Sequence, residues 1–416
     1  MKLRKLFRAL RHRNYRLFFF GQSLSNIGTW LQQVAMSWLT YRVTGSAWIL
    51  GVVAFCTNIG ILVLSPFAGV LADRVNRRSA LLVTQALMLG QAIALTVVVA
   101  AGDVQVWHLI VLALWLGIAW AFDVPLRQSM YVYLVPDRAD LPNAIALNSF
   151  MVNAARVIGP ALAGILIAAA GEAWCFALNA LTFLVVMVAV AKLQWTHERG
   201  HVHPGWWASW IEGARYTFGF EPVRMLLIVL AALAWTIAPY SSMMPIYARD
   251  VYGGGPDTLG LLLSSAGAGA LSCMVYLAGR STIRGLGRVI ALAIFTCSLA
   301  LAAFAYLKVL PLAMLLLAFV GGGMILAAAS ANVILQTVTD DRLRGRVASF
   351  YTVSFLGVAP LGNLAAGALA RNFGAPATFV FNGCICALAA VWYWRALPRL
   401  RVLMEPAYQR LGVAKE

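Results

Sequence analysis

Residues 48–101 read WILGVVAFCTNIGILVLSPFAGVLADRVNRRSALLVTQALMLGQAIALTVVVAA, in which two apolar stretches flank a short basic loop. The stretches at 48–71 and 79–101 are each close to the ~20 residues that an α-helix, rising ~1.5 Å per residue, needs to cross ~30 Å of hydrocarbon. This pattern predicts two membrane-spanning helices joined by a loop at one membrane surface.

The same pattern recurs along the whole chain of 416 residues, of which 62% are hydrophobic and only 11% are charged. Such a composition suits helices in lipid better than a water-soluble domain. We predict an all-α integral membrane protein with twelve transmembrane helices in two pseudo-symmetric six-helix bundles. The predicted spans are 18–41, 48–71, 79–101, 106–126, 143–169, 174–194, 225–247, 259–279, 288–307, 311–335, 347–369 and 377–396.

The basic residues fall in alternate gaps between these spans. Of the 32 Lys and Arg residues, 27 lie on one side of the layout, four lie on the other, and Arg156 falls within a span. The positive-inside rule therefore predicts that both termini are cytoplasmic. Because the basic residues are dispersed over many short loops, the net charge of +17 indicates topology and does not indicate a nucleic-acid partner.

The chain repeats itself at half length. A shift of 203 residues places Asp137 on Asp340, and the same shift superimposes three further pairs: Gly164 on Gly367, Phe176 on Phe379 and Asn179 on Asn382. Two duplicated halves that rock about a site at mid-membrane are a recurrent transporter design. The predicted domains are an N-terminal bundle over 1–194, a cytoplasmic linker over 195–224, a C-terminal bundle over 225–396 and a cytoplasmic tail over 397–416.

Several motifs resemble one transporter family. The loop from Gly69 to Arg78, with its Asp73-Arg74 pair and double Arg, resembles the cytoplasmic loop signature of the major facilitator superfamily, and Asp341-Arg342-Leu-Arg344-Gly345-Arg346 resembles a second copy. Further matches resemble the bacterial secretion-effector branch, which includes enterobactin exporters and macrolide efflux proteins. They are Arg13-Asn14-Tyr15-Arg16, Gly28-Thr29-Trp30-Leu31-Gln32, Thr44-Gly45-Ser46, Pro125-Leu126-Arg127-Gln128 and Arg156-Val157-Ile158-Gly159-Pro160.

The resemblance implies a cytoplasmic latch that closes the inner side while the outer side is open. An Asp at a helix end can accept charge-assisted hydrogen bonds from Arg side chains and from the start of a neighbouring helix. The alternative is that these Arg residues only set the topology, which we favour for Arg77. The candidate latch residues are Asp73, Arg74, Arg78, Arg127, Asp341, Arg342 and Arg346.

Arg156 lies about 13 residues into the fifth span, roughly 20 Å from its cytoplasmic end and hence near mid-membrane. A charge at this depth is costly, so the side chain is expected to face the bundle interior or a wet cavity. It can attract an anionic or carbonyl-rich group of a substrate. Alternatively it forms a structural pair with Asp123 or with carbonyl groups of a neighbouring helix.

Asp123 lies at the end of the fourth span, and Arg127 follows one helical turn later, so the two side chains can pair. Its edge position favours a local pair that caps the span over a role as the group that carries a coupled proton. The chain also departs from many proton-coupled members of the family, which have an Arg in the middle of span 4, where this chain has residues 114–120, LWLGIAW.

The resemblance implies that spans 1, 4, 7 and 10 line the cavity. The candidate substrate contacts are Asn26, Gln33, Trp115, Trp235, Tyr240, Asn332 and Gln336, beside Arg156. Aromatic rings with a few amides suit a bulky amphipathic ligand. Gly159, Pro160 and Gly164 resemble the antiporter signature and predict close helix packing or a kink, and Gly321–Gly323 predict a hinge or a close-packing site.

These observations predict a secondary transporter that works by alternating access and exports a small amphipathic compound, such as a siderophore or drug, by proton antiport. The alternatives are transport of a lipid-like or nutrient substrate by the same fold, and a membrane sensor or scaffold that transports nothing. No set of nucleophile, base or metal ligands predicts an enzyme, and we expect no metal and no cofactor. The expected partners are the lipid bilayer, the small-molecule substrate and the proton, and the expected state is a monomer.

Overall fold

The computed structural model describes residues 7–194, 206–280, 282–340 and 342–410, and within these ranges it leaves undescribed the side chains of 65–67, 69–74, 132, 138, 206–210 and 410. The side chains of the predicted latch residues Asp73 and Arg74, and the whole of Asp341, therefore lie outside the described part. Over the described ranges the chain is helical with short connections and contains no strand. This agrees with the predicted all-α fold class.

The chain separates into two compact units, of which the first comprises Met1–Val202 with Pro245–Ser264, and the second comprises His203–Met244 with Ser265–Glu416. The first unit contains six long helices and two short 3₁₀ turns, at Arg8–Arg11 and Arg138–Asp140. The helices are α1 (Arg13–Thr44), α2 (Ala47–Arg74), α3 (Arg77–Ala100), α4 (Val106–Leu134), α5 (Leu141–Ala170) and α6 (Glu172–Ala191).

The remaining helices begin with α7 (Trp206–Gly219), which lies within the predicted linker. Span 7 is broken between Thr236 and Tyr240 and ends in a π-helical turn at Tyr247–Val251, and span 11 is interrupted by a π-helical turn at Val353–Gly357. The other helices are α8 (Glu221–Thr236), α9 (Tyr240–Ile246), α10 (Pro256–Ala278), α11 (Leu286–Phe304), α12 (Leu310–Val338), α13 (Arg344–Thr352), α14 (Ala359–Phe373) and α15 (Ala375–Arg410). The last helix thus continues into the predicted tail, and the domain boundaries stay predictions.

Among the described residues, eleven segments are long and apolar enough to cross a membrane. The predicted span that is not among them is α1, whose 32 residues include Gln22, Asn26, Gln32 and Gln33. Amides at these positions lower the hydropathy of the helix. A membrane helix of this composition needs protein or water, and not lipid, on its polar side.

The internal repeat is visible in helix ends and in burial. Gly171 ends α5 with φ +86°, and Gly374, 203 positions later, ends α14 with φ +83°. Both glycines have the positive φ that a residue with a Cβ rarely adopts. In the helices that follow, Phe176 and Phe379 are both fully buried. The duplicated positions are therefore structurally equivalent in the two bundles.

A short basic segment before α1 is attached to the connection between spans 4 and 5; we call it the first clasp. Arg11 Nη2 lies 2.8 Å from Asp140 Oδ2 and 2.9 Å from Asp137 Oδ2, and His12 Nε2 lies 2.9 Å from Asp140 Oδ2. Arg8 also pairs with Asp140, whose side chain is fully buried. Burial opposes ionisation of Asp140, but the hydrogen bond with His12 and the charges of Arg11 and Arg8 hold its pKa below its usual value.

The second unit has a clasp at the equivalent place with the charges exchanged. Glu212 of α7, which precedes span 7, pairs with Arg346 at the start of span 11. The backbone of α7 lies close to this arginine, because a Cβ on Gly213 would stand 2.8 Å from Arg346 Cβ. A basic segment thus binds an acidic connection in one unit, and a glutamate of α7 binds a basic connection in the other.

We expect Asp140→Asn to release the first clasp and to speed amide exchange over residues 9–16 about tenfold, because Arg8, Arg11 and His12 lose the negative charge of their shared acceptor. The pKa of Asp140 is lowered by folding, so its stabilisation is present above the ordinary value of 3.8 and is lost as the pH falls through the lower folded value. Exchange corrected for the intrinsic rate should therefore stay slow at about pH 5 and accelerate below about pH 4. Asp137→Asn, at a half-exposed carboxylate, is the control, and an equal effect there would contradict the role given to Asp140.

Candidate transport site

A polar face runs along α1 in the first unit. Asn26, Trp30, Gln33 and Ser37 recur at helical spacing and are all partly exposed, whereas Gly28, Leu31 and Gln32 on another face are buried. Among the described residues, no acceptor meets the buried Nδ2 of Asn26. This face therefore offers an aromatic ring and side-chain amide groups to a ligand.

Arg156 of α5 lies against this polar face. Its guanidinium carbon is 5.7 Å from the centroid of the Trp30 ring, within the range of a cation–π contact. Gly159 permits this approach, since a Cβ there would stand 2.3 Å from Trp30 Cβ. The sequence predicted Arg156 as a candidate but did not identify Trp30 as its neighbour. The choice between substrate contact and structural role for Arg156 stays a prediction.

Asp123 is 1% exposed and contacts three side chains in the C-terminal half of α4. Its Oδ1 accepts hydrogen bonds from Thr84 Oγ1 at 3.0 Å and from Gln85 Nε2 at 2.8 Å, both from α3. Arg127 Nε lies 3.6 Å from the other oxygen, Oδ2. This set of donors ties α4 to α3 and favours the structural interpretation of Asp123.

The sequence reasoning missed a buried amide chain across four helices of the first unit. Asn179 Nδ2 donates to Gln32 Oε1 at 2.8 Å, Gln32 Nε2 donates to Gln91 Oε1 at 2.8 Å, and Gln91 Nε2 donates to the Leu112 carbonyl at 3.1 Å. The chain links α6, α1, α3 and α4. Amides inside three apolar spans were the signal for it, but nothing in the sequence pairs them. Its hydrogen bonds fix the register of these helices in a medium without water.

The described latch residues contact neighbours within their own unit. Arg78 donates to the carbonyl of Ala191 at the end of α6, where a cation also complements the helix dipole. Arg346 pairs with Glu212, and Arg342 is exposed. The predicted latch as a whole therefore stays a prediction.

Trp115 is 38% exposed on the same side of α4 as the exposed Val111, Leu114 and Ile118. Its ring lies 3.6 Å from the place where a Cβ on Gly90 of α3 would stand. Exposed apolar neighbours and a contact with α3 favour a packing or lipid-facing role over the predicted substrate contact. The sequence could not separate these roles, because both faces of this span are apolar.

The candidates of the second unit are more dispersed. Gln336 Nε2 donates to Asn332 Oδ1 at 3.1 Å along α12. Trp235 of α8 is exposed, whereas Tyr240 is buried. The backbone at Trp235 is crowded by span 11, because a Cβ on Gly362 would stand 2.4 Å from its carbonyl oxygen. The amide pair on α12 is accessible, because Gln336 is exposed and Asn332 is partly exposed.

Of the two alternatives predicted for Gly321–Gly323 in span 10, a hinge or a close-packing site, the geometry favours close packing. A Cβ on Gly321 would stand 2.1 Å from the Ala266 carbonyl oxygen, and one on Gly323 would stand 2.5 Å from that of Ala293. A Cβ on Gly269 of α10 would stand 1.8 Å from the Ala318 carbonyl oxygen. Backbones that approach this closely tolerate only glycine at the contact.

The Thr44 end of α1 carries two contacts that the sequence did not predict. The Tyr41 hydroxyl donates to Asp250 of the π-helical turn, and Arg42 Nε lies 2.7 Å from Glu172 Oε1 at the start of α6. Asp250 is exposed, but it has a partner. Within the described ranges, no group of three metal-ligating side chains occurs.

Comparison with known proteins agrees with this architecture. A family profile described as transmembrane secretion effector matches residues 5–408. The chain is 30% identical to the multidrug efflux pump Tap of Mycobacterium tuberculosis, over 96% of this chain and 95% of that protein. It is 25% identical to the staphyloferrin A transporter of Staphylococcus aureus, over 93% of this chain and 97% of that protein.

Solved structures show the same fold. A POT family transporter, crystallised in complex with a thioalcohol-conjugated peptide, superposes with a TM-score of 0.74 over 93% of this chain and 96% of that chain. Its sequence identity is 12%, so the likeness concerns the fold alone. The nucleoside transporter NupG superposes with a TM-score of 0.68 at 14% identity, over 93% of this chain and 99% of that chain.

Proposed function

Because the chain belongs to the transmembrane secretion effector family of the major facilitator superfamily, as an efflux-type transporter of small molecules, we propose that it exports its substrate by alternating access with proton antiport. The relatives over the whole chain include a multidrug efflux pump and a siderophore transporter. They support the direction of transport and the size of the substrate. In this proposal both termini are cytoplasmic and the working unit is a monomer in the bacterial inner membrane.

The proposed substrate is a small amphipathic compound of the siderophore or drug class. The observation that carries this choice is the polar face of α1, with Trp30 stacked on Arg156. An indole ring offers apolar area, and a guanidinium offers charge-assisted donors to a carboxylate or carbonyl group. A sugar or a small inorganic ion would need a denser set of polar groups than this face presents.

The first test is uptake into inverted membrane vesicles, whose cytoplasmic face is outward, with siderophores and drugs under an imposed pH gradient. We expect at least one compound to accumulate and the accumulation to collapse when the gradient is dissipated. Accumulation that survives dissipation would remove the antiport proposal. If no compound accumulates, the alternatives of a different substrate class or of a sensor gain support.

Asp123→Asn tests the candidate for proton coupling. If Asp123 carries the coupled proton, gradient-driven accumulation is lost, while exchange of labelled for unlabelled substrate across the vesicle membrane persists, since exchange needs no net proton movement. If the carboxylate only ties α4 to α3, accumulation and exchange fall together and the melting temperature also falls. Asp103→Asn, at an exposed carboxylate, is the matched control and should change neither.

A further inference from the structure

Two adjacent residues at the outer end of α1 hold two carboxylates from different elements. Tyr41 binds Asp250 and Arg42 binds Glu172. Glu172 begins α6 of the same bundle, so its pair with Arg42 stays within the six-helix core of the first unit. Asp250 differs, because it belongs to the segment 245–264. This segment lies in the second half of the sequence but is grouped with the first unit. The Tyr41 hydrogen bond therefore attaches that segment to the first bundle.

A backbone contact attaches the same segment independently. A Cβ on Gly164 of α5 would stand 2.7 Å from the Pro256 carbonyl oxygen, and a Cβ on Gly260 of α10 would stand 2.5 Å from the Pro160 carbonyl oxygen. Glycine on both sides lets the two helices meet backbone to backbone. One polar contact and one close-packed contact thus hold residues 250 to 260 on the first bundle.

The segment is distinct from the rest of its spans. Pro245–Ser264 is grouped with the first unit, while the remainder of spans 7 and 8 is grouped with the second. The boundary falls beside Pro245, which precedes a π-helical turn at Tyr247–Val251. A π-helical turn is an irregular element that occurs mostly at functional positions. The outer ends of these spans therefore have an interruption at which they can change partner.

We propose that the Tyr41–Asp250 hydrogen bond and the Gly164–Gly260 contact form an outer latch, which keeps segment 245–264 on the first bundle while the outer side is closed and which opens to release substrate. The Arg42–Glu172 pair keeps the end of α1 fixed on α6, so that Tyr41 presents its hydroxyl at one position. The proposal rests on alternating access for its role in transport. The contact itself can be measured without any substrate.

The first test is hydrogen exchange of the full chain in lipid nanodiscs. Tyr41→Phe removes only the hydroxyl, and we expect the amides of residues 247–259 to exchange about tenfold faster, because the segment loses a hydrogen bond to a charged acceptor. Asp250→Asn should act in the same direction. Tyr306→Phe, at a tyrosine that is 68% exposed, should leave these rates unchanged. Unchanged rates in both Tyr41→Phe and Asp250→Asn would overturn the latch.

The second test joins the latch covalently. In the double variant Tyr41→Cys with Asp250→Cys, a bifunctional methanethiosulfonate reagent with a spacer about as long as the removed tyrosine ring should cross-link the two positions, as read by peptide mapping, and reduce export at least about tenfold, with recovery after reduction. Each single variant, treated in parallel, controls for the six native cysteines. A cross-link that leaves export unchanged, or the failure of the two positions to cross-link, would overturn the latch. If the parent protein exports nothing, the proposed function fails while the exchange experiment still decides the contact.

Discussion

Arg156→Ala is expected to lower substrate export at least about tenfold while the protein remains folded, because its guanidinium, predicted to lie near mid-membrane, supplies a charged donor beside Trp30 on the polar face of α1. Initial uptake rates in inverted vesicles, normalised to protein in the membrane, give the effect. Arg156→Lys keeps the charge but loses the planar group that lies on the indole, so it should recover part of the activity.

The melting temperature in detergent separates the two roles of Arg156. A substrate contact predicts lost export with little change in melting temperature, and Trp30→Phe should then give an intermediate loss. A structural pair predicts a lower melting temperature with export in proportion to folded protein. Full activity of Arg156→Ala would remove the residue from the proposed site.

Gly321→Val is expected to abolish assembly of the second bundle. A Cβ at this position would stand 2.1 Å from the Ala266 carbonyl oxygen, and neither backbone can move without disturbing the neighbouring contact of Gly269. Overpacking a core costs about 1–3 kcal/mol where side chains can adjust, and more is expected where a backbone carbonyl is the obstacle. Size-exclusion chromatography should show aggregate in place of a monodisperse peak.

Gly219→Val is the matched control, since nothing lies within 4 Å of a Cβ at that position. It should leave the chromatographic profile close to that of the parent. A hinge at Gly321 would instead give a folded Gly321→Val protein with impaired transport, so a monodisperse but inactive variant would contradict the packing interpretation.

The helical membrane architecture could be predicted from the sequence because the length of each hydrophobic stretch is a local signal. The repeat was also readable, since Gly171 and Gly374 end equivalent helices at the shift of 203 that aligns Phe176 with Phe379. These features need no knowledge of which helices touch. The sequence therefore gives the number and order of spans directly.

The contacts of the site could not be predicted in the same way. Tyr41 and Asp250 are 209 positions apart and belong to opposite halves of the repeat, so neither periodicity nor local spacing relates them. The Gln32–Gln91–Asn179 chain lies within one half, but its bonded residues are 59 and 147 positions apart, so periodicity and local spacing do not relate them either. Trp115 shows a different difficulty. Span 4 is apolar on all sides, so its sequence does not indicate on which face of the helix this aromatic residue lies.

The exchanged charges of the two clasps have a consequence for biosynthesis. Because the duplicated halves have similar shapes, the clasp segment of one half can meet the connection of the other half, or of a second chain, during synthesis. If the basic segment before α1 met the connection that contains Arg346, two positive groups would come together. If Glu212 met Asp137 and Asp140, negative groups would come together. Such repulsion disfavours mispairing of the clasp segments between the two halves, so the exchanged charges help each segment to bind its own half.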